Sequence, residues 1–169
     1  MNQPAGRDLA TGIVVTPWGP WGVVASDRGI VRVALAGLPP DEDEAQAPPA
    51  AMAHLAEAQK QLCAYLAGDR RQFDLPLDAP PSTAFQRLVW DACARVPYGT
   101  TASYADLARA VRSPRAARAV GQALGANPLP ILIPCHRILA SDGSLGGYGG
   151  GLAMKRGLLA LEGISLEGS

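Results

Sequence analysis

The chain has 169 residues, of which 48% are hydrophobic, and its 15 basic and 15 acidic side chains leave a formal net charge of zero. This length suits one moderate domain or two small ones, and no apolar run approaches the 18 residues of a membrane-spanning helix. Residues 1–10 lack the apolar core of a signal peptide. Three cysteines without C-x-x-C spacing and only two histidines argue against a zinc site or a disulfide framework, and favour a reducing, cytoplasmic setting.

The charged residues are divided unevenly along the chain. Residues 1–81 carry 6 basic and 10 acidic side chains, whereas residues 82–169 carry 9 basic and 5 acidic ones. Two halves of opposite sign predict two domains, 1–81 and 82–169, the second of which faces a polyanion. Residues 78–81, with two consecutive prolines, are typical of a linker.

The first half is expected to form a small sheet followed by a helix. β-Branched runs at residues 12–16, 22–25 and 30–35 predict three strands, separated by turns at 17–20 and 26–29. Residues 37–49 predict an exposed acidic loop, and residues 73–77 a last edge strand. A helix is predicted over residues 50–66, with an apolar stripe of Leu55, Ala58, Leu62, Tyr65 and Leu66. Cys63 falls beside that stripe and is expected in the core.

The second half is expected to be mainly helical. Ser82 or Thr83 can cap a helix that continues through Arg95. Its predicted buried face consists of Phe85, Leu88, Val89, Ala92, Cys93 and Val96. The last helix is predicted from about Gly151 to Glu162, with Leu158, Leu159 and Leu161 as its apolar residues.

Two short helices around a tight turn form a candidate helix-turn-helix. Ser103 and Asp106 make a capping box for a helix that reaches Val111, and Ser113-Pro114 predicts the start of the next helix. In this second helix Arg115, Arg118 and Gln122 cluster opposite Ala117, Val120 and Leu124. The polar face suits DNA, with Arg109 and Arg112 placed for phosphate contacts. The alternative for this segment alone is an ordinary helix with a solvated arginine face.

The tetrapeptide Pro134-Cys135-His136-Arg137 follows an apolar run and places a nucleophile beside a base. A thiol is a good nucleophile only as the thiolate, which a nearby imidazole and cationic groups favour. Because Pro134 forbids a regular helix, a turn can bring the two groups together directly or through a water. The alternative is a structural cysteine that happens to precede a histidine.

Two further features near the end of the chain could contribute to such a site. The glycine-rich residues 141–151 lack the pattern of a phosphate loop and predict a tight or mobile loop, in which Tyr148 could stack on a flat group. A buried Glu162 paired with His136 would hold the imidazole tautomer. Its position alone favours a solvated glutamate near a helix end.

Taken together, these motifs resemble the O6-alkylguanine-DNA alkyltransferase family, whose members repair alkylated guanine by moving the alkyl group to their own cysteine. The similarity extends over the second half, and the first half matches loosely as a strand-rich domain followed by a helix. The matching segments are residues 85–90, 96–99, 103–104, 118–121, 127–128, 133–137, 147–151 and 158–163. One branch of relatives has tryptophan at the acceptor position and only binds damage. Cys135 separates this chain from that branch.

The resemblance implies a fold and a set of roles. It implies a ribonuclease H-like α/β (α+β) domain with a small antiparallel sheet, followed by a winged-helix-like helical domain with a helix-turn-helix. By this resemblance Cys135 accepts the alkyl group, His136 is the base, Glu162 orients it, and Asn127 ties the helix-turn-helix to the acceptor turn. Tyr104 helps protonate the departing guanine. The implied DNA contacts are Arg118, which fills the stack after the base is flipped, and Arg115, Gln122, Ser103, Arg109 and Arg112. The implied base pocket consists of Tyr104, Pro130, Ile138, Tyr148 and Gly149.

These roles describe a methylated-DNA–protein-cysteine methyltransferase that acts once per molecule and uses no metal or organic cofactor. Its partner would be double-stranded DNA containing O6-alkylguanine and, with less support, O4-methylthymine. The protein is expected to be a cytoplasmic monomer that associates with the nucleoid during repair. Cooperative binding to DNA is left open. The competing hypotheses are a non-catalytic helix-turn-helix or damage-binding protein, and a cysteine hydrolase that uses Cys135 and His136.

Overall fold

The computed structural model describes residues 8–36 and 47–166, and its contacts divide the chain into two compact units, residues 1–80 and 81–169. The predicted loop at 37–49 and the first seven residues lie largely outside the described residues. Within the described part, no helix is long and apolar enough to cross a membrane.

A three-stranded antiparallel sheet forms the first unit together with one helix. Its strands are β1 (Ala10–Thr16), β2 (Gly19–Ser26) and β3 (Gly29–Ala34), in the order β1-β2-β3. The first predicted turn is shorter than expected, because Thr16 pairs with Gly19 and the turn contains only Pro17 and Trp18. Gly19, with φ of 101°, adopts the left-handed conformation that lets the second strand begin at once.

Helix α1 (Pro49–Leu66) covers this sheet through Ala51, Leu55, Ala58, Leu62 and Tyr65. The prediction that Cys63 is a core residue is wrong, since Cys63 is exposed. At 100° per residue, Cys63 lies about 120° from the centre of the buried stripe. Leu66, predicted on the stripe, is half-buried at the last turn.

The predicted edge strand at residues 73–77 is reduced to a single bridge. Leu77 pairs with Ile30 in parallel, with Ile30 N donating to Pro76 O at 2.8 Å and Asp78 N donating to Ile30 O at 2.8 Å. Pro76 has no N–H, so it cannot continue a ladder. The buried Gln61 holds the preceding segment, since its amide donates to Asp74 O and accepts from Asp74 N.

Among its described residues, the second unit contains four α-helices, a three-residue 3-10 helix at Cys135–Arg137 and one short pair of strands. Its elements are α2 (Ala84–Ala94), β4 (Ala102–Ser103), α3 (Tyr104–Ala110), α4 (Ala117–Gly125), β5 (Ile138–Leu139) and α5 (Leu152–Leu161). The parallel pairing of β4 with β5 was not predicted, because two-residue strands have no periodicity to detect. This pairing joins the start of α3 to the residues that follow Cys135.

Helix α2 is capped by Thr83 in a capping box with Gln86. Its predicted inward face is partly wrong, because Leu88 is 53% exposed while the unassigned Trp90 is buried. Trp90 donates its indole N–H to Ala123 O at 2.8 Å, so its side chain belongs to the contact between α2 and α4. Cys93 is buried as predicted.

Helices α3 and α4 form the predicted two-helix motif, but α4 begins three residues later than expected. Ser113 and Pro114 lie in a turn closed by Ala116 N donating to Ser113 O at 2.9 Å, and the helix starts at Ala117. The proline therefore shapes the turn rather than the first helical position. Arg112, with φ of 59°, ends α3 in the left-handed conformation, which shortens the connection.

Candidate active site

The segment around Cys135 is a compact turn, which we call the acceptor turn (residues 129–137). Ile133 N donates to Leu129 O and Cys135 N donates to Ile133 O, both at 2.8 Å. Cys135 then opens a short 3-10 helix that leads into β5. Ile131 has φ of 73°, which is rare for a β-branched residue and shows that the surrounding structure holds this turn in shape.

Asn127, just after α4, links that helix to the acceptor turn. Its side-chain amide donates to Ile133 O at 3.1 Å, and its side-chain oxygen accepts from Leu129 N at 2.9 Å. Asn127 also forms a hydrogen bond with Cys135 that favours the thiolate. One amide side chain thus connects the end of a helix with the sulfur atom.

Cys135 is half-buried and is one of the residues that line a cavity. Burial raises the pKa of the Cys135 thiol, while the hydrogen bond from Asn127 and the charge of Lys155 act in the opposite direction. Burial is the largest of these effects. The resting sulfur is therefore mainly a thiol, and nucleophilic attack requires a base to remove its proton.

His136, in the acceptor turn, forms a buried pair with Glu162. His136 Nε2 lies 2.8 Å from Glu162 Oε1, and both side chains are fully shielded from solvent. Burial lowers the pKa of His136, and Glu162 opposes that shift only in part. A neutral imidazole that faces a carboxylate carries its proton on Nε2, so Nδ1 is the basic nitrogen. Glu162 is thus buried, contrary to the solvated position that its spacing alone favoured.

Arg137 completes this network. Its Nε donates to Glu162 Oε2 and its Nη2 to Glu162 Oε1, both at 2.9 Å, while Nη1 donates to Val96 O at 2.7 Å. Gly99 N also donates to Glu162 Oε2, at 3.2 Å. The carboxylate at the end of α5 therefore accepts from four donors and is fixed in one orientation.

A cavity of about 290 Å³ opens beside Cys135. Helices α3 and α4, the acceptor turn and the glycine-rich loop all contribute to it. The lining residues are Tyr104, Gly121, Leu124, Gly125, Cys135, Gly147, Tyr148 and Gly149. Three members of the predicted base pocket, Tyr104, Tyr148 and Gly149, thus face the same space as the sulfur. The other two predicted members, Pro130 and Ile138, are buried, and they are not among the residues that line the cavity.

Two tyrosine hydroxyl groups belong to this site. Burial raises the pKa of Tyr104 and of Tyr148, so both stay protonated at neutral pH and can donate a hydrogen bond. Tyr148 Oη is buried and has no hydrogen-bond partner in the part of the chain that the structure describes. Tyr104 packs so closely on Gly146 that an added Cβ there would lie 2.9 Å from Tyr104 Oη.

Sequence reasoning missed Lys155, a fully buried lysine in α5. Its Nζ donates to Ile138 O at 2.6 Å, to Gly147 O at 3.2 Å and to Leu145 O. Burial lowers the pKa of Lys155 to about 8. A signal was present in the sequence, because at 100° per residue Lys155 lies within about 60° of Leu158 and Leu159.

The helix-turn-helix presents its basic residues to solvent. Arg118 and Gln122 are exposed on α4, whereas Arg115 is exposed in the turn before it and is therefore not part of the helical face. Arg109 and Arg112 are exposed as well, with Arg109 paired to Asp106. The Ser103 hydroxyl caps α3 by accepting from Asp106 N at 3.0 Å, so it is already engaged.

No group of three or more histidine, cysteine, aspartate or glutamate side chains is arranged to hold a metal ion within residues 8–36 and 47–166. The site brings together a thiol, an imidazole, a carboxylate paired with the guanidinium of Arg137, the ammonium group of Lys155 and two phenols.

Comparison with known families matches almost the whole described chain. A family model described as "6-O-methylguanine DNA methyltransferase, DNA binding domain" matches residues 84–164. A second, described as "6-O-methylguanine DNA methyltransferase, ribonuclease-like domain", matches residues 10–79. The two matches meet close to the boundary between the two compact units.

Individual relatives point the same way. A constitutive methylated-DNA–protein-cysteine methyltransferase of Bacillus subtilis is 51% identical over 115 residues, which are 68% of this chain and 69% of that protein. A Methanosarcina acetivorans protein of the same name is 48% identical over 107 residues, 63% of this chain and 68% of that protein. The crystal structure of Mycobacterium tuberculosis OGT in complex with DNA is 36% identical with a TM-score of 0.76, covering 90% of this chain and 92% of that chain.

Proposed function

The chain belongs to the O6-alkylguanine-DNA alkyltransferase family, and we propose that it repairs alkylated DNA by transferring the alkyl group from guanine O6 to Cys135. It is a direct-reversal DNA repair protein with methylated-DNA–protein-cysteine methyltransferase activity. The observation that carries the assignment of Cys135 is that it lines the cavity and directly precedes His136, which is paired with the buried Glu162.

The cavity implies that the target base leaves the duplex. The O6 position of guanine is shielded by stacking, so the nucleotide must be extruded at a cost of a few kcal/mol. Tyr104 and Tyr148 would then contact the base, with Gly149 allowing its close approach. Pro130 and Ile138 would contribute from the acceptor turn and β5 through their backbone groups.

In the chemical step the Cys135 sulfur attacks the alkyl carbon. His136 Nδ1 takes the thiol proton through a water, and Glu162 stabilises the imidazolium that forms. The new S–C bond forms as the C–O6 bond breaks, and its electron pair passes to the guanine. The Tyr104 hydroxyl donates a proton to the departing guanine, and the proton that His136 took from the thiol returns through water to Tyr104, which ends the reaction as a neutral phenol. The product thioether has no accessible reverse reaction, so each protein molecule acts once. The proposal involves no cofactor.

The helix-turn-helix supplies the DNA contacts in this proposal. Arg118 enters the space that the flipped base leaves, while Arg115 and Gln122 lie beside it on the exposed side of the motif. Arg109 and Arg112 contact phosphates, and the N-terminus of α3 at Ser103 approaches the backbone. Asn127 connects this binding surface with the acceptor turn.

The proposed partner is double-stranded DNA that contains O6-alkylguanine. O4-methylthymine is a second proposed substrate, for which the support is weaker. Residues 82–169 bind DNA and accept the alkyl group, and residues 1–81 are a supporting domain. We place the protein in the cytoplasm as a monomer that associates with the nucleoid during repair and can bind DNA cooperatively.

A single-turnover reaction followed by intact-mass analysis tests the proposal. Incubation with a duplex that contains one O6-methylguanine should add one methyl group per chain, and peptide mapping should place it on Cys135. Cys135→Ser should bind the duplex and accept nothing, since a serine hydroxyl stays protonated at neutral pH. Cys63→Ser, at an exposed position on α1, is the matched control and should retain full transfer.

Three results would contradict the assignment. A methyl group on Cys63 or Cys93 would move the acceptor site. Binding of the damaged duplex without any transfer would indicate a non-catalytic damage-binding protein. Multiple turnovers on an ester or amide substrate would indicate a cysteine hydrolase.

A further inference from the structure

The buried Lys155 is the strongest feature that the proposed mechanism does not use. Its ammonium group lies between β5 and the glycine-rich loop, and it donates to the carbonyl groups of Ile138, Leu145 and Gly147. It also lies 6.0 Å from the centre of the Tyr104 ring. A completely buried lysine without a carboxylate partner among these contacts is costly to maintain, which calls for a role.

The number of acceptors matches the number of donors. An ammonium group has three N–H bonds, and three carbonyl oxygens converge on Nζ. A neutral amine has only two N–H bonds, so it would leave one of these carbonyl groups without its donor. The three carbonyl groups therefore favour the charged form, in opposition to burial, which lowers the pKa of Lys155 to about 8.

Two of the three carbonyl groups belong to the loop that forms the cavity wall. Gly147 lines the cavity itself, and it is followed directly by the lining residues Tyr148 and Gly149. The third carbonyl, on Ile138, belongs to the strand that follows the acceptor turn. Lys155 thus ties the loop that lines the cavity to the strand that follows Cys135.

We propose that Lys155 is a positioning residue, whose ammonium group fixes the glycine-rich loop against β5 and so sets the position of Tyr148 and Gly149 for binding of the extruded base. This inference rests on the proposed function. It concerns the affinity of the cavity for the base, and it assigns Lys155 no contact with the substrate and no part in proton transfer.

A second possible effect of Lys155 has a different experimental signature. The ammonium group also favours the charged form of Cys135, and the thiol of Cys93 and the imidazole of His136 experience its charge. If this electrostatic effect were the main one, removal of Lys155 would slow every reaction of the Cys135 sulfur. If loop positioning is the main effect, only reactions that need the base pocket should suffer.

The experiment therefore compares two reactions of Cys135 in Lys155→Met, which keeps the length of the stem and removes the charge and the donors. The first reaction is alkyl transfer from the free base O6-benzylguanine, measured as the half-saturating concentration and the maximal single-turnover rate. The second is alkylation by iodoacetamide, which needs no base pocket. We expect the half-saturating concentration to rise by about tenfold or more, corresponding to roughly 1.4 kcal/mol of binding, and the iodoacetamide rate to change by less than about threefold.

Lys155→Arg is the second variant. It keeps the positive charge, but its planar guanidinium cannot direct three donors to carbonyl groups that converge on one point. Lys155→Arg should show the same loss of affinity for O6-benzylguanine with unchanged reactivity toward iodoacetamide. It replaces Lys155→Met in the experiment if that variant does not fold. Arg156→Gln, which removes a cation from the exposed neighbouring position, is the control and should behave as the wild type.

The outcomes separate this inference from the function on which it rests. A wild-type protein that transfers nothing from the O6-methylguanine duplex would refute the proposed function. A wild-type protein that transfers normally, with either variant unchanged in affinity, would refute the role of Lys155. Equal losses in both reactions would assign Lys155 to the sulfur's charge state instead, and failure of both variants to fold would make it a residue of the core. Either result would overturn the positioning role.

Discussion

At the scale of single residues, the position of Arg118 separates base extrusion from chemistry. Arg118 is exposed on α4 and is not among the residues that line the cavity, whereas Cys135 and Tyr104 are. Arg118→Ala should therefore slow repair of an O6-methylguanine duplex by about tenfold, or roughly 1.4 kcal/mol, because the gap left by the base stays unfilled. Reaction with free O6-benzylguanine should be unaffected.

Arg115→Ala is the matched control for this prediction. It removes an equal charge from the turn before α4. It should weaken DNA binding in a salt-dependent way while the reaction of bound duplex proceeds normally. Rate losses of equal size on duplex and free base would contradict the stack-filling role of Arg118.

His136 should also make the stability of the protein depend on pH. Burial lowers its pKa in the folded state from the ordinary value of 6.5, so the unfolded chain binds a proton that the folded protein does not. Stability linked to His136 is therefore present above about pH 6.5 and is lost as the pH falls below that value.

Urea titrations between pH 8 and pH 5 measure this effect. The free energy of unfolding of the wild type should decrease as the pH falls below about 6.5, and His136→Gln should show a shallower decrease. Identical slopes for the two proteins would mean that His136 becomes protonated inside the fold, with Glu162 as its counter-ion.

At the scale of secondary-structure elements, the two capping boxes offer a paired test. Ser103 caps α3 and Thr83 caps α2. In each box the capping side chain accepts from the backbone N–H of the third helical residue, and the side chain of that residue accepts from the backbone N–H of the capping residue. Ser103→Ala and Thr83→Ala should each cost about 1 kcal/mol of stability. Only Ser103→Ala should also weaken DNA binding, since α3 opens the helix-turn-helix and carries Tyr104.

Thermal melts and DNA titrations of both variants check this prediction. A loss of DNA affinity in Thr83→Ala equal to that in Ser103→Ala would show that general stability, and not the start of α3, limits binding.

The elements that could be predicted from the sequence are those with a local cause. The hairpin at residues 26–29, helix α1 and the capping box of Ser103 depend on near neighbours, and the structure has them where the sequence placed them. The predicted start of α4 was wrong, because a proline such as Pro114 suits a turn as well as the first position of a helix. The bridge at Leu77 and the β4–β5 pair depend on distant partners, for which a single strand has no local signal.

The same distinction between local causes and distant partners applies to the residues of the candidate site. The Cys135-His136 motif marks its own place in the chain, and Tyr148 and Glu162 were candidates from their positions. The roles of Asn127, Tyr104 and Gly149 came from the family resemblance. The burial of Glu162 depends on Arg137, Gly99 and His136 converging on it, and its spacing alone favoured solvent. Lys155 was missed because a lysine is rarely buried, although its helical phase pointed inward.

At the scale of the whole molecule, alkylation of Cys135 should destabilise the protein and weaken its hold on DNA. A methyl group added to a packed turn acts like overpacking, which typically costs about 1–3 kcal/mol. Asn127 would transmit the change, because it bonds to the acceptor turn from the end of α4. The melting temperature should fall by several degrees, on the order of 2–8 °C.

Paired melts and DNA titrations of unreacted and fully methylated protein measure both effects. Unchanged melting together with unchanged affinity would mean that the acceptor turn has room for the methyl group, and the link through Asn127 would be abandoned.

The glycines around the cavity have a practical consequence for engineering of substrate range. Gly146 has φ of 68° and touches Tyr104, so even alanine there would displace the ring. Gly147 and Gly149 also belong to the loop and line the cavity, but an added Cβ at either position meets no atom within 4 Å. A library that randomises positions 147 and 149 and keeps Gly146 fixed would therefore sample new side chains on the cavity wall without disturbing Tyr104. Selection from such a library with bulky benzyl or pyridyl ethers of guanine would yield variants whose acceptor cysteine labels itself with a chosen chemical group.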